Sequence, residues 1–179
     1  VLQKYNIKAT FFMNGEFIRR YPSETKQIVF NGYDTASMFF SQTDLVNNPF
    51  VIDEDFIRRG LARNEDEFYQ CTGKELSLYW HAPYYSIDPK IIAFGNTAGY
   101  TYVNSFNLIN DSPKLNKDIK PEVIIQNYCE SLKKTGGGIV PVSAGFSQGN
   151  RTDPLYNYLD ILICALVDNG FDFVGIQDL

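Results

Sequence analysis

The chain has 179 residues, 44% of them hydrophobic and 21% charged, a balance that supports one globular domain with a real core and excludes a disordered segment. Its net charge of −5 argues against a nucleic-acid footprint, which needs basic stripes, and against docking on an anionic membrane surface. There is no apolar run long enough to span a bilayer, and no leader-like segment is visible at Val1.

In chain order, residues 8–13 (KATFFM) read as a buried strand. Residues 16–31 read as helix, interrupted or restarted near Pro22 and Ser23, with Gly32 where a helix would stop. Residues 33–38 form a strand. Residues 53–72 form a helix with Ile57, Leu61 and Phe68 on one face, closed by Gly73. Residues 76–80 are a strand. Asp88 and Pro89 supply an N-cap and a proline at the first helical position, opening a helix that ends by Gly99.

Residues 100–104 are the next strand. Pro121 opens a helix carrying Ile125, Tyr128, Cys129 and Leu132 at i, i+3, i+4 and i+7. Gly136, Gly137 and Gly138 break it, and residues 139–142 are a strand. Asp153 and Pro154 cap the last long helix, with Leu155, Leu159, Leu162 and Leu166 on one side and Gly170 at its end. Residues 171–174 are the final strand. Alternation of this kind predicts a mainly parallel sheet covered by helices, with the site on the loops after the strands' C-terminal ends. Those loops begin near Asn14, Met38, Ala82, Ser105 and Ser143.

The three cysteines, Cys71, Cys129 and Cys164, fit no zinc spacing, and an odd number cannot all pair within the chain. Their helical positions predict buried free thiols. Aromatic residues reach 15%, with 12 Tyr and 14 Phe, which suits core packing and equally the gripping of sugar faces by cleft loops.

Several segments resemble the NodB-homology domain of polysaccharide deacetylases, carbohydrate esterase family 4. YNIKATFFMNGEFIRRYP (residues 5–22) is similar to that family's second strand and following helix. NGYDTASMFFSQTDL (31–45) has the framing of its histidine motif, and TGKELSLYWHAPYY (72–85) resembles its arginine–proline–tyrosine motif. GGGIVPVS (136–143) is similar to the strand ending in its second catalytic residue, and the closing GFDFVGIQDL fits the same pattern. The order and spacing of these segments, over essentially the whole chain, carry the resemblance.

The resemblance implies a distorted (β/α) barrel that removes acetyl groups from amino sugars. It uses a divalent metal such as zinc, held by one Asp and two His, with an Asp base and a His acid. Carried over position by position, the two metal histidines fall on Met38 and Gln42, which keep the i, i+4 spacing but not the ligands. The motif's arginine falls on His81, its proline and tyrosine on Pro83 and Tyr84, the catalytic histidine on Ser143, and the acetyl-pocket leucine on Pro141. The aspartate pair belongs to a first strand that would precede Val1.

The expectation is therefore an α/β, NodB-type barrel spanning 1–179 as one domain, N-terminally incomplete and lacking its first strand. It retains no metal ligands and needs no cofactor. Its function is carbohydrate binding without catalysis, on a surface of Trp80, His81, Tyr84, Tyr85, Met38, Gln42 and Pro141; Phe106 and Phe146 also fall near site loops. The degenerate catalytic positions are His81 and Ser143, and a Ser–His pair between them would need hydrogen-bond reach and an orienting third group. Phe39 and Phe40 are expected to make the pocket apolar. An active metal-dependent deacetylase with a rebuilt site is one alternative, and a structural or protein-interaction domain the other. A homo-oligomer or an upstream segment is expected to cover the open sheet edge. The resemblance favours a secreted or cell-envelope location.

Overall fold

The structure, a computed structural model, describes residues 1–104, 111, 119–144 and 153–178. They gather into two compact units, one of Lys8–Val103 with Gly175–Leu179, the other of Val1–Ile7 with Asn104–Val174. Among the described residues no helix is long and apolar enough to cross a membrane.

The unit of Lys8–Val103 alternates strand and helix. β1 (Thr10–Met13) leads into α1 (Gly15–Arg20) and α2 (Pro22–Phe30), then β2 (Asp34–Ser37) and α3 (Glu54–Thr72). β3 (Tyr79–Trp80), α4 (Pro89–Thr97) and β4 (Thr101–Tyr102) complete it. The four strands are parallel in the order β1-β2-β3-β4, as helical crossovers require. The chain writes its own punctuation. Asn14, Asp53 and Asp88 each accept a hydrogen bond from the N–H three residues on, capping α1, α3 and α4. Pro22 cannot donate a backbone hydrogen bond, so the helix expected over 16–31 divides there into α1 and α2. Gly73 adopts φ 68°, the left-handed conformation that closes α3.

One face of α3 holds the unit together. Ile57 and Leu61 are buried with Phe39, Leu45, Trp80, Ala82, Ile91 and Tyr100, while Phe68 joins Met13, Ile18 and Leu76. Each such side chain contributes about 2 kcal/mol through removal of apolar surface from water. The opposite face is solvated, and Asp55 pairs there with Arg58 and Arg59. Exposed pairs of this kind add little.

The second unit is built on α5 (Pro121–Thr135), a 3₁₀ turn (Leu155–Tyr158) and α6 (Leu159–Asp168). Ile124, Ile125, Tyr128, Cys129 and Leu132 of α5 pack on Leu155, Leu162 and Leu166. The N-terminal residues lie against α6, with Lys4 paired to Asp160 and the Cys164 thiol 3.8 Å from the Tyr5 hydroxyl.

Several expectations are corrected. Residues 139–142 and 171–174 form no ladder among the described residues. Their apolar side chains Val140, Val142, Phe171 and Phe173 instead pack on the helical cluster. Asp153 does not cap a helix, because its carboxylate accepts the Tyr158 hydroxyl at 2.7 Å and the chain after Pro154 turns as a 3₁₀ helix first. The strand expected over 76–80 pairs only at Tyr79–Trp80, although Ser77 N–H still reaches Thr35 O. Of the three cysteines, all free, Cys129 alone is buried and Cys164 is exposed.

Candidate functional site

The C-terminal ends of the four strands form a rim in strict register. Met13, Ser37, Trp80 and Tyr102 are Cα partners across the sheet. One step further, the N–H groups of Met38, His81 and Val103 donate to Met13 O, Ser37 O and Trp80 O at 2.8–2.9 Å. Asn14, Met38, His81 and Val103 therefore stand side by side where the backbone leaves the sheet.

The loop after β2 is bolted to the first turn of α1. Asn14 Oδ1 caps Phe17 N–H, and Asn14 Nδ2 donates to Gln42 Oε1 at 2.8 Å. Gln42 N–H points to Glu16 Oε2, and Glu16 N–H donates to Phe40 O. Gln42 thus has its carbonyl oxygen committed, and its Nε2 donors have no partner among the described residues. Met38 beside it is half-buried.

Phe39 and Phe40 were expected to line a pocket and do not. Phe39 turns into the core at 1% exposure with φ 62°, its ring lying over Gly60 of α3. Phe40 lies under the guanidinium of Arg63, 3.8 Å from its ring centroid, and against Gly15. Trp80 also leaves the expected ligand surface. It is wholly buried against Gly95 of α4, because successive strand residues face opposite sides of a sheet and Trp80 takes the helical side.

His81 takes the other side. Its Nδ1 lies 2.8 Å from Val103 O, an atom that can only accept, so Nδ1 carries the proton. The ring stacks on Tyr102 at 5.5 Å and meets the edges of Tyr85 at 4.7 Å and Phe12 at 5.9 Å. Burial pushes the imidazole pKa below its ordinary 6.5, with the Val103 bond opposing more weakly. His81 is consequently neutral, and its Nε2 is a buried acceptor without a partner among the described residues. The sign of the pH effect follows. The unfolded chain takes up a proton below about 6.5 and the folded chain does not, so unfolding free energy falls as pH drops from there toward the depressed folded value. Urea unfolding at about pH 7.5 and about pH 5.5 should show this loss in the native chain and a smaller one in His81→Phe.

Pro83, Tyr84 and Tyr85 form a 3₁₀ turn in which both tyrosines are left-handed, at φ 58° and 59°. Two successive non-glycine residues in that region carry strain, a feature concentrated at functional sites. The turn is tied to the β2 loop by Asp44, whose carboxylate accepts the Ser86 hydroxyl at 2.5 Å and the Val46 and Asn47 N–H groups.

In the other unit, Ser143 is not poised as a nucleophile. Its hydroxyl donates to Asp111 O at 2.7 Å and its N–H to Asp111 Oδ2 at 2.9 Å. Tyr128 hydroxyl accepts Asp111 N–H at 3.1 Å and donates to Pro141 O at 2.6 Å. Pro141 and Ser143 are thus held by a polar clip around the buried Asp111. Tyr128→Phe removes both of these hydrogen bonds and should cost about 2 kcal/mol in urea unfolding. Phe106, Phe146 and the Ser105 loop lie outside the described residues.

Sequence reasoning named Asn14 only as the start of a site loop, and missed Asn64 and Asp111. Asn64 Nδ2 donates to Met13 O at 2.9 Å and Ser37 Oγ at 2.8 Å, joining β1 to β2 at the rim. Its signal was available: with Ile57, Leu61 and Phe68 it completes an i, i+4, i+7, i+11 stripe, so it belongs to the buried face. Asp111 gives no local signal.

The sequence profile of the polysaccharide deacetylase family matches residues 1–103. The peptidoglycan-N-acetylmuramic acid deacetylase PdaA of Bacillus subtilis strain 168 is 25% identical over 179 residues, covering 100% of this chain and 63% of that protein. The chain spans 63% of the length of the curated relatives it matches. Among solved structures, the Bc1960 peptidoglycan N-acetylglucosamine deacetylase superposes with a TM-score of 0.77 at 20% identity, over 99% of this chain and 77% of that one. BA3943 of Bacillus anthracis, described as a CE4 family pseudoenzyme, gives 0.75 at 18%, over 99% and 57%. These likenesses establish the NodB-type α/β fold.

Proposed function

We propose that this chain, which belongs to the polysaccharide deacetylase family, binds an amino-sugar glycan at the sheet rim without deacetylating it. The observation that carries this reading is the state of Met38 and Gln42. At the two positions where the family resemblance calls for metal histidines stand a thioether and a neutral amide, and the amide oxygen is already spent on Asn14. A hard or borderline divalent cation finds no ligand set there. Among the described residues no three His, Cys, Asp or Glu side chains gather elsewhere into one. The implied metal therefore does not fit these residues, and no catalytic step is routed through it.

What remains suits recognition. Gln42 presents amide donors, His81 an acceptor, and Tyr84 and Tyr85 aromatic faces on a strained turn, the mixture of few polar groups and rings that small-ligand sites use. Calorimetric titration with N-acetylglucosamine oligomers tests the reading. Saturable binding that weakens about tenfold in Gln42→Ala supports it. Silence across a panel of amino-sugar oligomers rejects it and favours a structural or protein-interaction role.

A further inference from the structure

Among the described residues five buried side-chain polar atoms have no hydrogen-bond partner: Thr10 Oγ1, Ser77 Oγ, Asn64 Oδ1, Trp80 Nε1 and His81 Nε2. Hydroxyls can rotate toward another acceptor, and the amide oxygen of Asn64 and the indole of Trp80 lie against α1 and α4. His81 Nε2 is the one of these five on a side chain that takes the face of the sheet opposite Trp80, just past the end of β3. Its ring cannot turn to satisfy it, since Nδ1 is fixed on Val103 O and three aromatic rings hold the imidazole plane.

We propose that His81 is a specificity-determining residue whose Nε2 accepts a hydrogen bond from a neutral donor on the bound glycan, a sugar hydroxyl or amide N–H, and rejects a carboxylate at that position. The inference rests on the glycan-binding reading and adds polarity to it. A neutral imidazole in this tautomer has one acceptor and no spare donor, so an acidic sugar placed there would face a lone pair. A buried acceptor left unmade costs about 1–3 kcal/mol, which a ligand donor recovers on binding. Nε2 is buried in the free protein, so the proposal includes a shift of Tyr85, whose ring meets the imidazole edge-on at 4.7 Å from left-handed backbone.

The chain's single histidine makes the test clean. Long-range ¹H–¹⁵N correlation spectra of the intact chain read both ring nitrogens without assignment mutants. The free protein should show Nδ1 protonated and Nε2 as the bare acceptor. On adding N-acetylglucosamine oligomers, the Nε2 signal should move upfield while Nδ1 stays. Glucose oligomers separate the donor sources: a shift with both sugars identifies a hydroxyl, and a shift with the N-acetylated series alone identifies the amide. Glucuronic-acid oligomers, which keep the ring hydroxyls but add a carboxylate, should bind more weakly than glucose oligomers, and equal or tighter binding overturns the exclusion of a carboxylate. His81→Phe, which keeps a flat ring, should weaken neutral-glycan binding about tenfold. Calorimetric binding with an unmoved Nε2 signal and unchanged His81→Phe affinity overturns the proposal and leaves glycan binding standing. A proton on Nε2 in the free protein overturns it outright, whether or not the variant folds. Absence of binding by any glycan removes the underlying reading and the proposal together.

Discussion

Replacing Gly60 by alanine is expected to lower the unfolding free energy by about 3 kcal/mol, the upper range for overpacking a core. In an exposed helix interior the same change would stabilise by about 1 kcal/mol, so the sign itself is diagnostic. A Cβ at this position would lie 2.0 Å from Cζ and 2.1 Å from Cε2 of Phe39. That ring is rigid, 1% exposed, and backed by Phe56 at 5.7 Å, so it cannot slide aside. Its backbone is pinned as well, since Phe39 N–H donates to Ser37 Oγ and φ is 62°. Because Phe39 immediately follows Met38, the clash also displaces the rim. The double variant Gly60→Ala, Phe39→Ala should fall short of the summed losses by at least about 1 kcal/mol in urea unfolding, and strict additivity would mean the two residues do not collide.

Asn64→Ala is the second large effect, expected at about 3 kcal/mol. Removing the amide takes one of two donors from Met13 O, which keeps Met38 N–H, and one hydrogen bond from Ser37 Oγ, which keeps Phe39 N–H, and it empties a fully buried position. Met13 O can only accept, which fixes the nitrogen end of the amide toward it. Asn64→Asp makes the contrast sharp: an ionised carboxylate cannot donate to a carbonyl, so that variant should be at least as unstable at neutral pH despite its matching shape. Recovery toward acidic pH, as the carboxyl gains a proton to donate, separates lost donation from lost volume. Both variants should also weaken glycan binding, because Asn64 joins the two strands that carry Asn14 and Met38.

The fold was legible where local chemistry is explicit. Asp53 and Asp88 before helices, Pro22 between two of them and Gly73 after one are short-range signals, and the parallel alternation follows from them. The second unit was less legible. Residues 139–142 and 171–174 are apolar enough for strands, yet ladder formation depends on long-range pairing that the local pattern does not encode. At the site the sequence supplies residue types alone: Met38, Gln42 and Ser143 are chemically unlike the residues the family resemblance calls for. The site's geometry was not legible. Nothing in TASMFFSQ reveals that Phe39 inverts into the core while Phe40 goes beneath Arg63, because that depends on Gly60 and Arg63 of a helix some twenty residues away. Trp80 and His81 are adjacent aromatic rings in sequence, and strand alternation alone decides that one packs inside and the other faces the rim.

The claim that the chain binds amino-sugar glycan without deacetylating it meets its most direct test in acetate release. The protein, saturated with an N-acetylglucosamine oligomer whose binding has been followed by calorimetry, would be incubated with and without zinc or cobalt while free acetate is measured. The account predicts binding with acetate at the protein-free rate under every metal condition. Acetate release that rises with added metal and saturates with the oligomer would contradict it.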